Sequence, residues 1–302
     1  MASWALTPGR AVALLALALS GGAAPVVAQQ GALFDARVQA VSVAGRVDVK
    51  VDREKLRAFL KVTGFDVALD SIALSAKNAP AMLGRKAEDF GFQWREAADE
   101  VFASDKMQGM ALDILEQALS ADLLDHATTF YVTPLGLKLV TLENEAHMTE
   151  STPEGEAAEE ALISQLRADN PERLAVLERL NSAVDASESS VRAVQEIQLR
   201  FLLAADAAGV MRLKLGEEGL RELLRGGEAA LAESLEKSAL QSAAWTYRSL
   251  TDEELLTYAE ALEDPKMQRV YELMNAIQWE VMANRFEALA VRMGTLEPVT
   301  DL

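Results

Sequence analysis

The stretch LSADLLDHATTFYVTPLGLKLVTLENEA, residues 119–146, encodes two helices and the bend between them. Ser120 places a hydroxyl where a helix begins, so its oxygen can accept from an otherwise orphaned N–H of the first turn. Thr133-Pro134 then restarts the chain. The threonine is a second cap, and proline suits the first helical position because its missing N–H has no partner there anyway. A helix of about three turns, a sharp redirection and a longer amphipathic helix follow from these signals.

The same unit returns further along. At an offset of 131 residues, Leu119-Ser120-Ala121-Asp122, Leu124 and Pro134 fall on Leu250-Thr251-Asp252-Glu253, Leu255 and Pro265, and Lys138 falls on Arg269. Thr251 and Glu254 form a capping box, and Asp264-Pro265 opens the last long helix, toward Gly294. Elsewhere Asp52 precedes a helix rich in Lys and Arg, Ser104 caps a helix toward Leu119, and Asn170-Pro171 repeats the start signal. Gly209, Gly216 and Gly226-Gly227 punctuate the second half. Only Val47, Val49 and Val51 alternate with Asp48, Lys50 and Asp52 at the period of a half-buried strand, which reads as one short N-terminal strand or an extended lead-in.

The expected fold is therefore all-α, with two tandem helical modules over residues 29–150 and 166–296. The acidic stretch at 151–165, with Pro153 and Gly155, is a linker or a helix start, and 297–302 is a tail. Composition agrees with helices: half of the 302 residues are hydrophobic but only 6% are aromatic. Chance similarity between helix caps is the alternative to a repeat.

Residues 119–146 and SLTDEELLTYAEALEDPKMQRVYELM at 249–274 resemble a group of exported bacterial helical proteins that carry the domain of unknown function numbered 2059. Thr133-Pro134-Leu135-Gly136-Leu137 follows the family's Ser-Pro-Leu-Gly-Gln with Leu137 in the Gln position. Asp264-Pro265-Lys266-Met267-Gln268 keeps Pro and Gln and loses Leu-Gly. The resemblance implies a periplasmic helical protein and supplies no catalytic residues to carry over.

Residues 1–28 read as a signal peptide: Arg10 is the only charge, Ala11 to Leu19 is apolar, Gly21-Gly22 and Pro25 break the helix, and Val26-Val27-Ala28 precedes Gln29. An uncleaved anchor is the competing reading. The expected location is periplasmic, with cleavage after Ala28 and no stable membrane insertion afterwards. The net charge of −18 repels phosphate backbones, so nucleic acid is not an expected partner. With no cysteine, stability must come from packing.

Nucleophile elbows, phosphate cradles and the di-iron Glu-x-x-His spacing are all missing from the sequence. His126 and His147, the only histidines, each follow an acid by four residues, Asp122 and Glu143, and read as surface pairs rather than as ligands of one ion. Neither a cofactor nor a metal is expected. Trp94, Trp245, Tyr247, Tyr258, Tyr271 and Trp279 read as core residues on helix faces, with a ligand groove as the alternative. The basic run Lys50 to Lys61 reads as a solvated face. After Pro265 a broad apolar stripe includes Met267, Tyr271, Met274, Met282 and Phe286, either a core or an adaptable binding groove. These readings favour a non-enzymatic binding module for an unknown protein or envelope component, with a carboxylate-based hydrolase of envelope material as the alternative.

Overall fold

The computed structural model describes residues 51–76, 79–84, 90, 93–184 and 187–296, and within them the fold is all-α, with no strand. The expected signal peptide, the tail at 297–302 and the alternating segment before Val51 lie outside the described residues. Asp52, at the segment's end, is extended and caps the first helix by accepting from Glu54 N–H.

The helices are α1 (Arg53–Val62), α2 (Phe65–Asp70), α3 (Ile72–Ala76), α4 (Ala79–Met82), α5 (Gln93–Val101), α6 (Ser104–Ala118), α7 (Ala121–Tyr131) and α8 (Pro134–Met148). They continue with α9 (Pro153–Asp169), α10 (Pro171–Val184), α11 (Ser187–Ala207), α12 (Glu217–Gly226), α13 (Glu228–Thr246), α14 (Asp252–Leu262) and α15 (Pro265–Met293). Most expected starts are observed, including the Thr251–Glu254 capping box and the Asp264 cap on Lys266 and Met267 N–H. Ser104 differs. It is the first residue of α6 rather than its cap, and its hydroxyl instead donates to Asp70 Oδ1 at 2.7 Å. The acidic stretch at 151–165 is the body of α9, opened by Thr152 and Pro153, which packs on α10 and α13.

The two cap-and-proline units share their helix bounds and cap geometry at the 131-residue offset, but the likeness ends with the second helices, of 15 and 29 residues. At 1.5 Å per residue α15 runs about 43 Å, roughly twice the length of α8. Its buried apolar residues fall on more than one face, as suits a helix with neighbours around much of its circumference, while Lys266 and Glu272 reach solvent. Its neighbours include α2, α5, α6 and α7 from the first half and α10, α11 and α14 from the second. Both halves thus share one hydrophobic core from Val51 to Met293. Phe286 of α15 sits at the joint, edge-on to Phe102 at 5.3 Å and to Phe201 at 5.9 Å between ring centroids.

The bend between α7 and α8 is tight because Gly136 has no side chain. A Cβ there would lie 2.4 Å from Phe130 O and 2.6 Å from Tyr131 Cα, both unyielding backbone atoms. Gly109 in α6 has nothing within 4 Å of the corresponding position. Gly136→Ala is therefore expected to destabilise the protein by about 3 kcal/mol through overpacking, and Gly109→Ala to stabilise it by about 0.5–1 kcal/mol through helix propensity. Urea denaturation of both variants checks the opposite signs.

Candidate functional site

Glu143 lies on the inward face of α8, one turn before His147, and both side chains are buried. All four tyrosines of the chain gather around this carboxyl, from four different places. Tyr247, which ends α13, and Tyr258 of α14 each donate to Glu143 Oε1 at 2.9 Å. Tyr258 also meets Tyr271 of α15 at 3.2 Å, and Tyr271 meets Tyr131, the last residue of α7. Phe130 stacks on Tyr258 at 6.0 Å and lies edge-on to Tyr131.

Each phenol has a single proton to donate, and Tyr258 gives its own to Glu143, which fixes the direction of the whole chain. With the Tyr258 proton committed to Glu143, Tyr271 must donate to Tyr258, and Tyr131 must then donate to Tyr271. Every hydroxyl proton finds an acceptor this way. Burial raises the Glu143 carboxyl above its ordinary value, against the opposing pull of the Tyr247 hydrogen bond. Burial also pushes the Tyr131, Tyr247 and Tyr271 hydroxyls well up, and the Glu143 charge adds to it. His147 moves the other way, to about 4, because burial disfavours its cation.

This arrangement corrects the surface reading of Glu143 and His147. The inward face of α8 is Gly136, Leu139, Glu143 and His147, and its outward face holds Leu137, Thr141, Glu145 and Met148. The Asp122–His126 pair is also not formed. His126 Nε2 lies 3.0 Å from Asp264 Oδ1, the acid that caps α15, while Asp122 takes Lys266 at 2.8 Å. Among the described residues no three His, Cys, Asp or Glu side chains converge as a metal site. Met267, Tyr271, Met274, Met282 and Phe286 are at most 2% exposed, so the stripe after Pro265 lines no open groove. The reason is length: α15 outruns α14, and α5, α6 and α7 cover the surplus. Tyr247, Tyr258, Tyr271 and Trp94 are core residues as expected, and Trp245 and Trp279 are half-buried.

Two features of the surface remain open. A cleft of ≈ 330 Å³ between α9 and α13 is lined by Ile163, Arg167, Leu240 and Gln241 and crossed by the Glu160–Lys237 pair at 3.0 Å. At the α7–α8 corner, Val132 and Leu137 are 53% and 55% exposed, with exposed Pro134 between them. Sequence reasoning noted Leu137 only as a departure from the family pattern and passed over Val132. Their exposure depends on the sharp bend, which turns two helix ends outward together.

The family model described as "Uncharacterized protein conserved in bacteria (DUF2059)" matches residues 105–165, from α6 into α9. The quoted segment 119–146 lies inside that match, so the resemblance read from it holds, whereas 249–274 lies outside. Among curated proteins and among solved structures, nothing matches the chain.

Glu143→Leu would strand the Tyr247 and Tyr258 hydroxyls in the core, and a loss of about 2–4 kcal/mol is expected. Glu143→Gln keeps an amide oxygen for them and should lose less than half as much in the same denaturation assay. For His147 the sign follows from its lowered value. The unfolded histidine titrates near 6.5 and the folded one near 4, so the unfolded chain binds the extra proton between those limits. Stability from this group is complete above pH 6.5 and falls by about 3 kcal/mol as the pH drops toward 4. Denaturation curves at several pH values should show this fall flattened in His147→Asn.

Proposed function

We propose that the chain is an exported interaction module, which acts by holding another protein or an envelope component rather than by catalysis. The observation that carries this reading is the α7–α8 corner. It is apolar, more than half exposed and held rigid by the Thr133 cap, Pro134 and the contact of Gly136 with the α7 backbone. It also lies within the stretch that matches the family model. Exposed apolar side chains on a fixed bend offer a partner a hydrophobic anchor at little ordering cost. Among the described residues no helix is long and apolar enough to cross a membrane, in keeping with action outside the bilayer.

The hydrolase reading gains nothing from the buried cluster. Glycoside hydrolysis by the usual route needs two carboxyl groups flanking a cleft. The acceptor at the end of the tyrosine chain is one carboxyl, closed off by α7, α13, α14 and α15.

Export is supported by the leader pattern of residues 1–28. Protein recovered from a periplasmic extract should begin at Gln29, as N-terminal sequencing will show, and an intact Met1 in the membrane fraction would refute cleavage. From the same extract, a partner co-purified with the wild-type chain should be lost with Leu137→Gln, a surface change that leaves the thermal midpoint in place. A partner retained at full yield by that variant would remove the corner from the binding site.

A further inference from the structure

Resting on the interaction-module reading, we infer that the α7–α8 corner is a docking surface for a basic amphipathic helix, which seats an apolar side chain on Val132 and Leu137 and sets cations against Asp125 and Glu145. The argument begins with the outward strip of each helix. On α7 it runs Asp125, Thr129, Val132, and on α8 it runs Leu137, Thr141, Glu145, both at helical spacing and all exposed. The strips end at the corner, with Val132 just after α7 and Leu137 in the first turn of α8, both exposed on either side of Pro134. From there the acids lie back along the helices, Asp125 about 10 Å from Val132 and Glu145 about 12 Å from Leu137 at 1.5 Å per residue.

The charges at this surface select the partner. Lys138, the one cation beside Leu137, is already taken by both carboxylate oxygens of Glu254 at 2.8 Å. Neither Asp125 nor Glu145 has a cationic partner among the described residues. An apolar apex flanked by two uncompensated acids on a chain of net charge −18 repels acidic and phosphate-bearing partners and attracts lysine or arginine beside a hydrophobic anchor. A helix presents a basic residue about 10–12 Å from an apolar one two turns away, the separation of each acid from the corner.

The probe is a short synthetic helical peptide of leucine and lysine, with a leucine–glutamate peptide of the same pattern as control, titrated calorimetrically into the full mature chain. The Leu–Lys peptide should bind with one-to-one stoichiometry and the Leu–Glu peptide should not. Leu137→Gln, and separately the double change Asp125→Asn with Glu145→Gln, should each weaken binding by about tenfold. Added salt should weaken the wild-type complex more than that of the double variant. Because every altered residue is exposed, unchanged thermal midpoints will establish that the variants are folded. Equal binding of both peptides, or Leu–Lys binding untouched by Leu137→Gln, overturns the inference. A photo-cross-linker placed at position 137 in cells separates the two levels. An adduct with another protein but no Leu–Lys affinity overturns the basic chemistry and leaves the interaction module standing. Absence of both overturns the module as well.

Discussion

A single carboxyl, placed where water does not reach, organises the middle of this molecule. Removing a carboxylate from water without hydrogen bonds costs several kcal/mol, so Glu143 is tolerable only where donors surround it. The donors are two tyrosines from α13 and α14, and a further two extend the chain to α15 and α7. Each tyrosine contributes a large buried apolar ring and one hydroxyl that must find a partner, so the network orders as it packs. Five helices are tied to one point. Because the chain of donors has a single consistent direction, no arrangement that moves one of these helices alone satisfies every hydroxyl, and the tie acts as a unit.

The second constraint is the length of α15. A helix of 29 residues with buried apolar positions from Met267 to Met293 must be covered along its whole run, and the helices that follow the acidic stretch do not suffice. Phe102 in the first half and Phe201 in the second close on the same ring, Phe286. Ion pairs reinforce the joint at its surface: Glu100 with Arg292, Asp122 with Lys266, and Lys138 with Glu254. Each is exposed enough to contribute little alone. What joins the halves is the shared apolar core, and the charges fix its register.

Helix starts were legible in the sequence because they are written in local chemistry: a hydroxyl or carboxyl cap, a proline one residue later, a glutamate at the third position. Ser120, Thr133, Thr152, Asn170, Thr251 and Asp264 all stand before the helices they announce. Which face of each helix turns inward was far less legible. α8 carries leucine or valine at 135, 137, 139, 140 and 142, on all sides, so its periodicity points nowhere in particular. The buried direction was decided by partners distant in the chain, Tyr247 and Tyr258, and so the Glu143–His147 pair looked like an ordinary solvated pair. The same ambiguity hid the fate of the Met267 to Phe286 stripe. Its breadth was visible, but the helices that cover it come from the other half of the chain.

The inward turn of Glu143 and His147 bears on what α8 does outside. A helix has one circumference, and a face given to a buried carboxyl and imidazole is a face withdrawn from leucine. Hydrophobicity alone favours turning Glu143 out to water and a leucine of α8 into its place. The tyrosine chain opposes that rotation, and Gly136 against the α7 backbone blocks it sterically. With the helix held in this orientation, Leu137 and Met148 face solvent although nothing in their own chemistry places them there. The buried Glu143 and the exposed Leu137 thus lie on different faces of one helix, and a change to either should be felt at the other through the turn of that helix.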